Sequence, residues 1–368
     1  MRDVLIVGAG LSGLLTSRVL LTKGFNIELL EEHDSVGLPR HCSGLVSEYV
    51  VSSIGRVAKE HVVSRFTEYT VKVIESDEVR EVLTLSFRKP VYLIDRVGLE
   101  KSLCEEITSL GGKVSVKTLV NYVNLSENFL RTNKGLRKYD LLVISEGATR
   151  RLTKSLNLCR VSSYLIGPQA FLTVNNAPET TEVIVSPFID SGGFGWVIPV
   201  DNKRVILGLV TTSKKASLLL KYLIKKSFRT TSSYRVENFF GGLIPADRPC
   251  EKIIGKNYVI VGDAASITKP VSKGGIYSLI EEMKILRDSL SKGLLNQDLV
   301  MSRYKKLLNF LNTQHLIHET ILSSGGYYKL VKSISRSGLR EVKILDYDKL
   351  LPNPTTFFTS ISNYSGSE

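Results

Sequence analysis

The feature that most constrains the chain is a glycine-rich turn close to its start. An apolar run, Val4–Val7, leads directly into the pattern Gly8-x-Gly10-x-x-Gly13, and apolar residues at helical spacing follow. A second apolar run ends at Glu31, about 20 residues further on. The glycine pattern alone also occurs in turns that bind nothing. Strand, turn, helix and terminal acid in this order indicate a dinucleotide-binding βαβ unit.

Each position of this turn has an expected part in holding a pyrophosphate. Gly8 permits the tight turn, Gly10 lets the backbone approach the phosphates, and Gly13 lets helix and strand pack closely. The pyrophosphate is expected at the N-terminus of the helix, and Glu31 is expected to accept hydrogen bonds from a ribose. The expected dinucleotide-binding residues of this unit are Gly8, Gly10, Leu11, Ser12, Gly13 and Glu31.

Composition limits the class of protein. The 368 residues are 43% hydrophobic, which suffices for two or more cores, and the formal net charge is +13. This charge indicates an acidic partner, such as an anionic membrane surface or an acidic protein; no nucleic-acid motif is present. No long uncharged apolar run and no leader before the first strand are seen, so we expect neither a membrane span nor a signal peptide. We therefore expect a cytoplasmic protein, soluble or peripheral at the inner face of the cell membrane.

The cysteines and histidines show no ligand spacing. We expect neither a disulfide framework nor a zinc site, since no CxxC pair occurs. His315 and His318 share a helical face, but no carboxylate-rich pattern surrounds them, so we expect no metal. The four cysteines are Cys42, Cys104, Cys159 and Cys250, and the last two show no sign of a partner.

Later segments favour a flavin over a nicotinamide cofactor. Arg96 closes a strand and opens a helix, where we expect it to meet a nucleotide phosphate or adenine. Another apolar strand ends at Asp263, whose carboxylate is expected to bind the ribityl hydroxyls of a flavin. Gly275 and Ile276 then open a helix whose N-terminus can face the negative edge of an isoalloxazine ring. We therefore expect FAD, with Val120 of a further predicted strand among its contacts.

Three stretches resemble the geranylgeranyl reductase family, within the flavoprotein class that includes aromatic hydroxylases. Pro39–Gly44 is similar to the family's Pro-x-x-Cys-x-Gly segment, which passes over the flavin. Phe194–Pro199, followed after eight residues by Gly208, resembles its substrate-cavity signature. The third stretch is Gly262-Asp263-Ala-Ala, with Gly275 twelve residues after Asp263.

The resemblance implies an FAD-dependent enzyme that saturates C=C bonds of an isoprenoid lipid or diphosphate. Such an enzyme needs few ionisable side chains, because the flavin carries the hydride while the protein positions the alkene. Cys42, Ser43 and Gly44 are then expected beside the flavin. The thiol of Cys42 is the candidate catalytic group, and the alternative is an inert structural cysteine. The expected substrate residues, as against mere core positions, are Phe194, Trp196, Ile198 and Pro199.

Three other functions stay open. One is an FAD-dependent aromatic or quinone hydroxylase, the second is a lipid-binding or redox-sensing flavoprotein without turnover, and the third is a nicotinamide dehydrogenase. The electron donor is also open: a single dinucleotide fingerprint weakly favours a protein such as ferredoxin, yet flavin enzymes of this class can bind NAD(P)H without a second one.

The expected fold class is α/β, with a Rossmann-like FAD-binding domain, an inserted antiparallel-sheet substrate domain and a helical C-terminal region. The predicted FAD-binding segments are 1–50, 91–150 and 251–290; the substrate-binding segments are 51–90 and 151–250; the helical region is 291–350 and the tail is 351–368.

Residues 214–229 predict a basic amphipathic helix with six basic and no acidic side chains. Projected as a helix, the basic residues share one arc and the leucines the other. This pattern fits a helix lying on an anionic membrane. The favoured alternative is a helix of the substrate domain with its apolar face buried and its lysines in solvent.

Overall fold

The computed structural model describes residues 3–76, 78–228, 233–291 and 294–349. The predicted tail and Arg229 of the basic helix lie outside these residues. The helices are α1 (Leu11–Leu21), α2 (Glu48–Ile54), α3 (Arg56–Glu60), α4 (Arg96–Ser109), α5 (Arg151–Ser155), α6 (Ala216–Ser227), α7 (Ile276–Ser289), α8 (Gln297–Ser323) and α9 (Gly326–Arg336), with 3₁₀ turns at Gly147–Thr149, Gly262–Ala265 and Tyr347–Lys349.

The strands form four sheets. They are β1 (Asp3–Val7), β2 (Asn26–Leu30), β3 (Leu45–Ser47), β4 (Val62–Glu75), β5 (Glu78–Ile94), β6 (Lys113–Ser115), β7 (Val120–Asn124), β8 (Phe129–Thr132), β9 (Gly135–Lys138), β10 (Leu141–Ile144), β11 (Tyr164–Val174), β12 (Thr181–Val185), β13 (Phe194–Pro199), β14 (Arg204–Val210), β15 (Tyr234–Pro245), β16 (Tyr258–Ile260), β17 (Leu290–Ser291), β18 (Leu294–Leu295) and β19 (Glu341–Ile344). β17 and β18 pair with each other, and β7–β9 form a small antiparallel sheet.

The first sheet is parallel and follows the order β16-β10-β1-β2-β6. Its central strands are buried along most of their length, as expected for a parallel sheet covered on both faces. β2 pairs with one side of β1, and β10 pairs with the other side of β1. Ligands of such sheets bind outside the carboxyl ends of the strands, where the strand order reverses. This edge lies beside the glycine turn that follows β1.

The second sheet has the path β15-β11-β14-β13-β12-β4-β5-β19, with β3 paired to β5. Most neighbours are antiparallel, but β12 runs parallel to β4 and β19 runs parallel to β5. The sheet expected to be antiparallel is therefore mixed, because two of its strands arrive from distant parts of the chain. With this difference the predicted fold class is confirmed. The domain boundaries stay a prediction.

The basic helix lies on the second sheet. α6 buries Leu220, Leu223 and Ile224 in a core shared with β11 and β14. Lys221 and Lys225 are exposed on its other side. The buried apolar face of the favoured alternative is thus confirmed, while the assignment of α6 to a substrate domain stays a prediction. Within the described part of the chain, no helix combines the length and apolar character needed to cross a membrane.

One prediction about the cysteines is wrong. Cys159 and Cys250 form a disulfide, with their Cα atoms 5.4 Å apart. The two residues are 91 positions apart, and pairing over such a distance leaves no spacing signal in a sequence. Cys159 follows α5 and Cys250 lies just before β16. Cys42 and Cys104 are free thiols.

Candidate active site

The three glycines of the turn meet different surroundings. Gly8 has a φ of +97°, a conformation that favours glycine, and a Cβ there would lie 2.5 Å from the carbonyl oxygen of Ser145. A Cβ on Gly13 would lie 2.0 Å from the Gly8 carbonyl oxygen, so α1 approaches the turn very closely. Gly10 faces open space, with nothing within 4 Å of such a Cβ. The turn is therefore closed at two glycines and open at the third.

Glu31 follows β2 at the same edge of the sheet and is buried. Its Oε2 accepts a hydrogen bond from the amide of Ala9 at 2.7 Å, and its Oε1 accepts one from the amide of His33 at 3.0 Å. The carboxylate thus ties the end of β2 to the glycine turn. A carboxylate has about four acceptor positions, so it can still accept from a ribose hydroxyl.

Arg96 begins α4, is partly buried, and forms an ion pair with Glu100. Its Nε has no hydrogen-bond partner among the described residues. A buried guanidinium nitrogen without a partner costs free energy, so an acceptor at this position would be stabilising. Val120, at the start of β7, lines the same cavity as Arg96.

Asp263 lies in the 3₁₀ turn after β16. Burial raises the pKa of its carboxyl, and the hydroxyl of Thr268 donates to it at 3.2 Å. A Cβ on Gly275, the residue before α7, would lie 3.1 Å from Asp263 Oδ1. The carboxylate and the N-terminus of α7 therefore stand side by side. Free amides at a helix N-terminus attract negative charge.

The segment that carries Cys42 is held by Arg40. The Arg40 guanidinium donates to the carbonyl oxygens of Cys42 and Ser43, each at 3.3 Å, and lies 4.6 Å from the ring centre of Phe171. Gly44 ends the segment with a φ of +100° and a close approach to β5. The segment is thus held against the second sheet, and Cys42 and Ser43 line the cavity.

Alternate residues of β13 form the apolar wall. Phe194, Trp196 and Ile198 line the cavity, because side chains two positions apart in a strand point to the same face. Pro199 points to the opposite face for the same reason, and it is buried there. The Nε1 of Trp196 has no hydrogen-bond partner among the described residues.

Most of these residues meet at one cavity of about 700 Å³. Three predicted residues lie outside its lining: Gly13 and Gly44, which are closed in by backbone, and Pro199. The predicted residues that line it are Gly8, Gly10, Leu11, Ser12, Glu31, Cys42, Ser43, Arg96, Val120, Phe194, Trp196, Ile198, Asp263, Gly275 and Ile276.

Some residues that line the cavity have no recognisable sequence pattern. Lys269 forms a buried ion pair with Asp348, Nζ to Oδ1 at 2.8 Å, and Tyr347 lies beside it. Gln169 of β11 leaves its Oε1 without a partner among the described residues. Lys273 also lines the cavity. No local pattern marks them, because they come together only through pairing between distant segments.

The cavity fits FAD in its chemistry. Gly10 offers room for a pyrophosphate at the start of α1, and Arg96 offers an unpartnered donor. Glu31 and Asp263 offer acceptors for ribose and ribityl hydroxyls. The N-terminus of α7 suits the negative edge of a flavin ring.

Comparisons with known proteins agree with this geometry. Residues 6–75 match the family described as NAD(P)-binding Rossmann-like domain. A digeranylgeranylglycerophospholipid reductase of Methanosarcina acetivorans is 21% identical over 330 residues, covering 83% of this chain and 79% of that protein. The relative of the same name from Methanocaldococcus jannaschii is 23% identical over 355 residues, covering 90% and 87%.

Solved structures show the same fold. A geranylgeranyl bacteriochlorophyll reductase-like protein of Thermoplasma acidophilum superposes with a TM-score of 0.80 at 14% identity, covering 99% of both chains. The halogenase PltM in complex with phloroglucinol and FAD has a TM-score of 0.68 at 13% identity, covering 91% of this chain and 79% of that one. The chain therefore has a flavoprotein-type fold, and its resemblance to the geranylgeranyl reductase family is confirmed by these relatives.

Proposed function

We propose that the chain is an FAD-dependent reductase that saturates carbon–carbon double bonds of an isoprenoid, either a geranylgeranyl lipid or a geranylgeranyl diphosphate. The observation that carries this proposal is the continuity of the cavity, which joins the residues suited to FAD with the apolar wall of β13. A flavin held by the first group and an alkene held by the second would be neighbours. Relatives named digeranylgeranylglycerophospholipid reductase support the same substrate class.

The FAD-binding residues would divide the cofactor among them. The turn at Gly8–Ser12 and the start of α1 would hold the pyrophosphate, with Glu31 on the ribose. Arg96 and Val120 would contact the nucleotide half. Asp263 would bind the ribityl chain, and Gly275 and Ile276 would face the flavin ring. Cys42 and Ser43 would pass over the ring. Gly13 and Gly44 would act through the backbone that they allow.

When bound, FAD supplies the hydride that one carbon of the double bond accepts. The chain's own residues position the alkene and exclude water from it. Phe194, Trp196 and Ile198 would hold the alkene in an apolar slot from which water is excluded. The second carbon of the double bond needs a proton. The Cys42 thiol is a candidate group to contact the alkene. Pro199 would support the wall from its opposite face.

The lipid would be met at an anionic membrane surface. Lys221 and Lys225 of α6 are exposed, and the whole chain carries a net charge of +13. Anionic headgroups attract such a surface over about one Debye length, roughly 10 Å. The electron donor, ferredoxin or NAD(P)H, would reach the flavin from solvent.

The test is mass spectrometry of a geranylgeranyl phospholipid after anaerobic incubation with the FAD-loaded protein, reduced chemically so that no natural donor is needed. We expect mass gains in steps of two hydrogens, each step counting one saturated bond. The lipid is presented in anionic and in neutral vesicles, and sedimentation reports retention on each.

An unchanged lipid mass with the flavin still reduced contradicts the proposed function. In that case oxygen and aromatic substrates are added, because oxygen-dependent product formation would support the hydroxylase alternative. Equal retention on anionic and neutral vesicles contradicts the membrane surface alone.

A further inference from the structure

A partly buried lysine, Lys273, precedes α7 and lines the cavity. Its φ is +59°, a left-handed conformation that long side chains seldom adopt. Such outliers cluster at functional sites, where surrounding contacts hold them. Burial lowers the pKa of Lys273 to about 7, although Asp190 opposes this shift.

One residue of the C-terminal helices contacts the Lys273 ammonium group, and a second contacts that residue. Lys273 Nζ lies 3.2 Å from Nε2 of His318 in α8, and His318 Nδ1 lies 3.1 Å from the hydroxyl of Tyr327 in α9. The Tyr327 hydroxyl donates to the carbonyl oxygen of Val271 at 2.9 Å. Because the Tyr327 hydroxyl donates its hydrogen to the Val271 carbonyl, it accepts a hydrogen bond from His318 Nδ1. The Nε2 of His318 is then an acceptor. The network thus turns an acceptor toward Lys273.

The same network touches the apolar wall. The ring of Tyr327 packs edge-on against Phe194, with ring centres 5.6 Å apart, and Phe194 lies 6.1 Å from Trp196. His318 stacks on Tyr327 at 5.8 Å. Lys273 is therefore linked, through His318 and Tyr327, to the side chains proposed to hold the alkene.

We propose that the Lys273 ammonium group donates the proton that completes alkene reduction, with His318 and Tyr327 as positioning residues. This role rests on the proposed function. The π bond of the alkene breaks, one carbon bonds the hydride from reduced flavin, and the other bonds a proton from Lys273 Nζ. The N–H electron pair stays on nitrogen as a neutral amine. Water returns the proton before the next turnover.

The pH dependence follows from the charged form of the donor. A lysine with a pKa of about 7 is protonated below that pH and neutral above it, so the proton-transfer rate should fall as pH rises through 7. Burial also lowers the pKa of His318 and of His315 to about 4, so neither gains a proton in this range. The titratable groups that face Lys273 are Asp190, His315, His318 and Tyr327.

The experiment compares the FAD-loaded wild type with Lys273→Met and Lys273→Arg. Anaerobic single-turnover reoxidation of the reduced flavin by the geranylgeranyl phospholipid is followed from about pH 5.5 to about pH 9. This range extends to both sides of the pKa of Lys273. We expect both variants to be slower by about 100-fold or more and to lose the decline near pH 7. Arginine keeps the charge but cannot release a proton.

Two readouts do not depend on turnover. Acetylation of Lys273 by acetic anhydride, measured by peptide mass spectrometry across pH, should show a midpoint near 7 in the wild type. The visible absorption of bound FAD reports whether each variant keeps its cofactor. Lys305→Met, at an exposed position of α8, is the matched control and should behave as the wild type.

The outcomes separate the two proposals. A wild type that leaves the lipid unreduced removes the proposed function and this role together. If the wild type reduces the lipid and Lys273→Arg does so equally fast, only charge is needed and Lys273 is not the donor. Persistence of the pH 7 decline in Lys273→Met, or a labelling midpoint near 10, also overturns the role.

Discussion

At the residue scale, two glycines of the turn lack a side chain for different reasons. Gly13 leaves room for packing within the protein, and Gly10 leaves room for a ligand. Gly13 is closed in by the Gly8 carbonyl, so its missing side chain serves packing within the protein. Gly10 has ordinary backbone angles, with a φ of −72°, and empty space before it. A methyl group at Gly10 would therefore meet only what occupies the cavity.

Gly10→Ala and Gly13→Ala should behave differently. We expect Gly10→Ala to keep the thermal stability of the apoprotein but to weaken FAD binding by about tenfold or more, roughly 1.4 kcal/mol. Gly13→Ala should lower both stability and FAD binding, because backbone must move. Calorimetric unfolding of apoprotein and fluorescence titration with FAD measure the two effects. A Gly10→Ala protein that binds FAD like the wild type would exclude this turn as the pyrophosphate site.

At the element scale, α6 shows why charge and apolar patterns must be weighed together. Its sequence suits a membrane surface as well as a protein core, and the second sheet decides between them by covering the leucine side. Leu223 is fully buried, whereas Leu218 on the same helix is 61% exposed. Lys221 and Lys225 are exposed and available for a surface role, whereas the buried leucines are not.

Two leucine substitutions test this orientation. Leu223→Ala should lower the free energy of unfolding by about 2–5 kcal/mol, since it leaves a cavity in a packed core. Leu218→Ala should change it by less than about 0.5 kcal/mol. Urea unfolding of both variants gives the comparison. Similar losses at the two positions would show that α6 does not lie on the sheet as described.

Elements that carry their own pattern were predictable from the sequence. The glycine turn, the strand ending before Asp263 and the alternating residues of β13 need only local periodicity. The parallel pairing of β12 with β4 and the arrival of Lys269 beside Asp348 depend on contacts between distant segments. The sequence pattern presents His318 only as a possible metal ligand. Its neighbours Lys273 and Tyr327 lie at sequence distances that give no spacing signal.

At the scale of the whole molecule, one covalent link joins distant segments. The Cys159–Cys250 disulfide closes a loop that includes β11–β15 and α6, most of the second sheet. Its second cysteine is buried, and the Tyr304 hydroxyl donates to the Cys250 carbonyl at 2.9 Å. The loop is thus anchored at the point where the chain returns to the first sheet.

Reduction of this disulfide should destabilise the protein. We expect a reductant to lower the free energy of unfolding by about 2–4 kcal/mol, because a long loop is released in the unfolded chain. Guanidinium unfolding with and without the reductant measures the difference. The response should vanish in the double variant Cys159→Ser/Cys250→Ser and persist in Cys104→Ser. A wild-type midpoint that ignores the reductant would mean that the thiols are not joined.

The position of β19 sets an order on biosynthesis. This strand pairs Glu341 with Thr84, and the residues just beyond it, Tyr347 and Asp348, line the cavity. A ribosome releases the glycine turn long before Tyr347 and Asp348. A growing chain can therefore form this turn early, while the lining of the cavity stays incomplete until β19 and the residues just beyond it have been made.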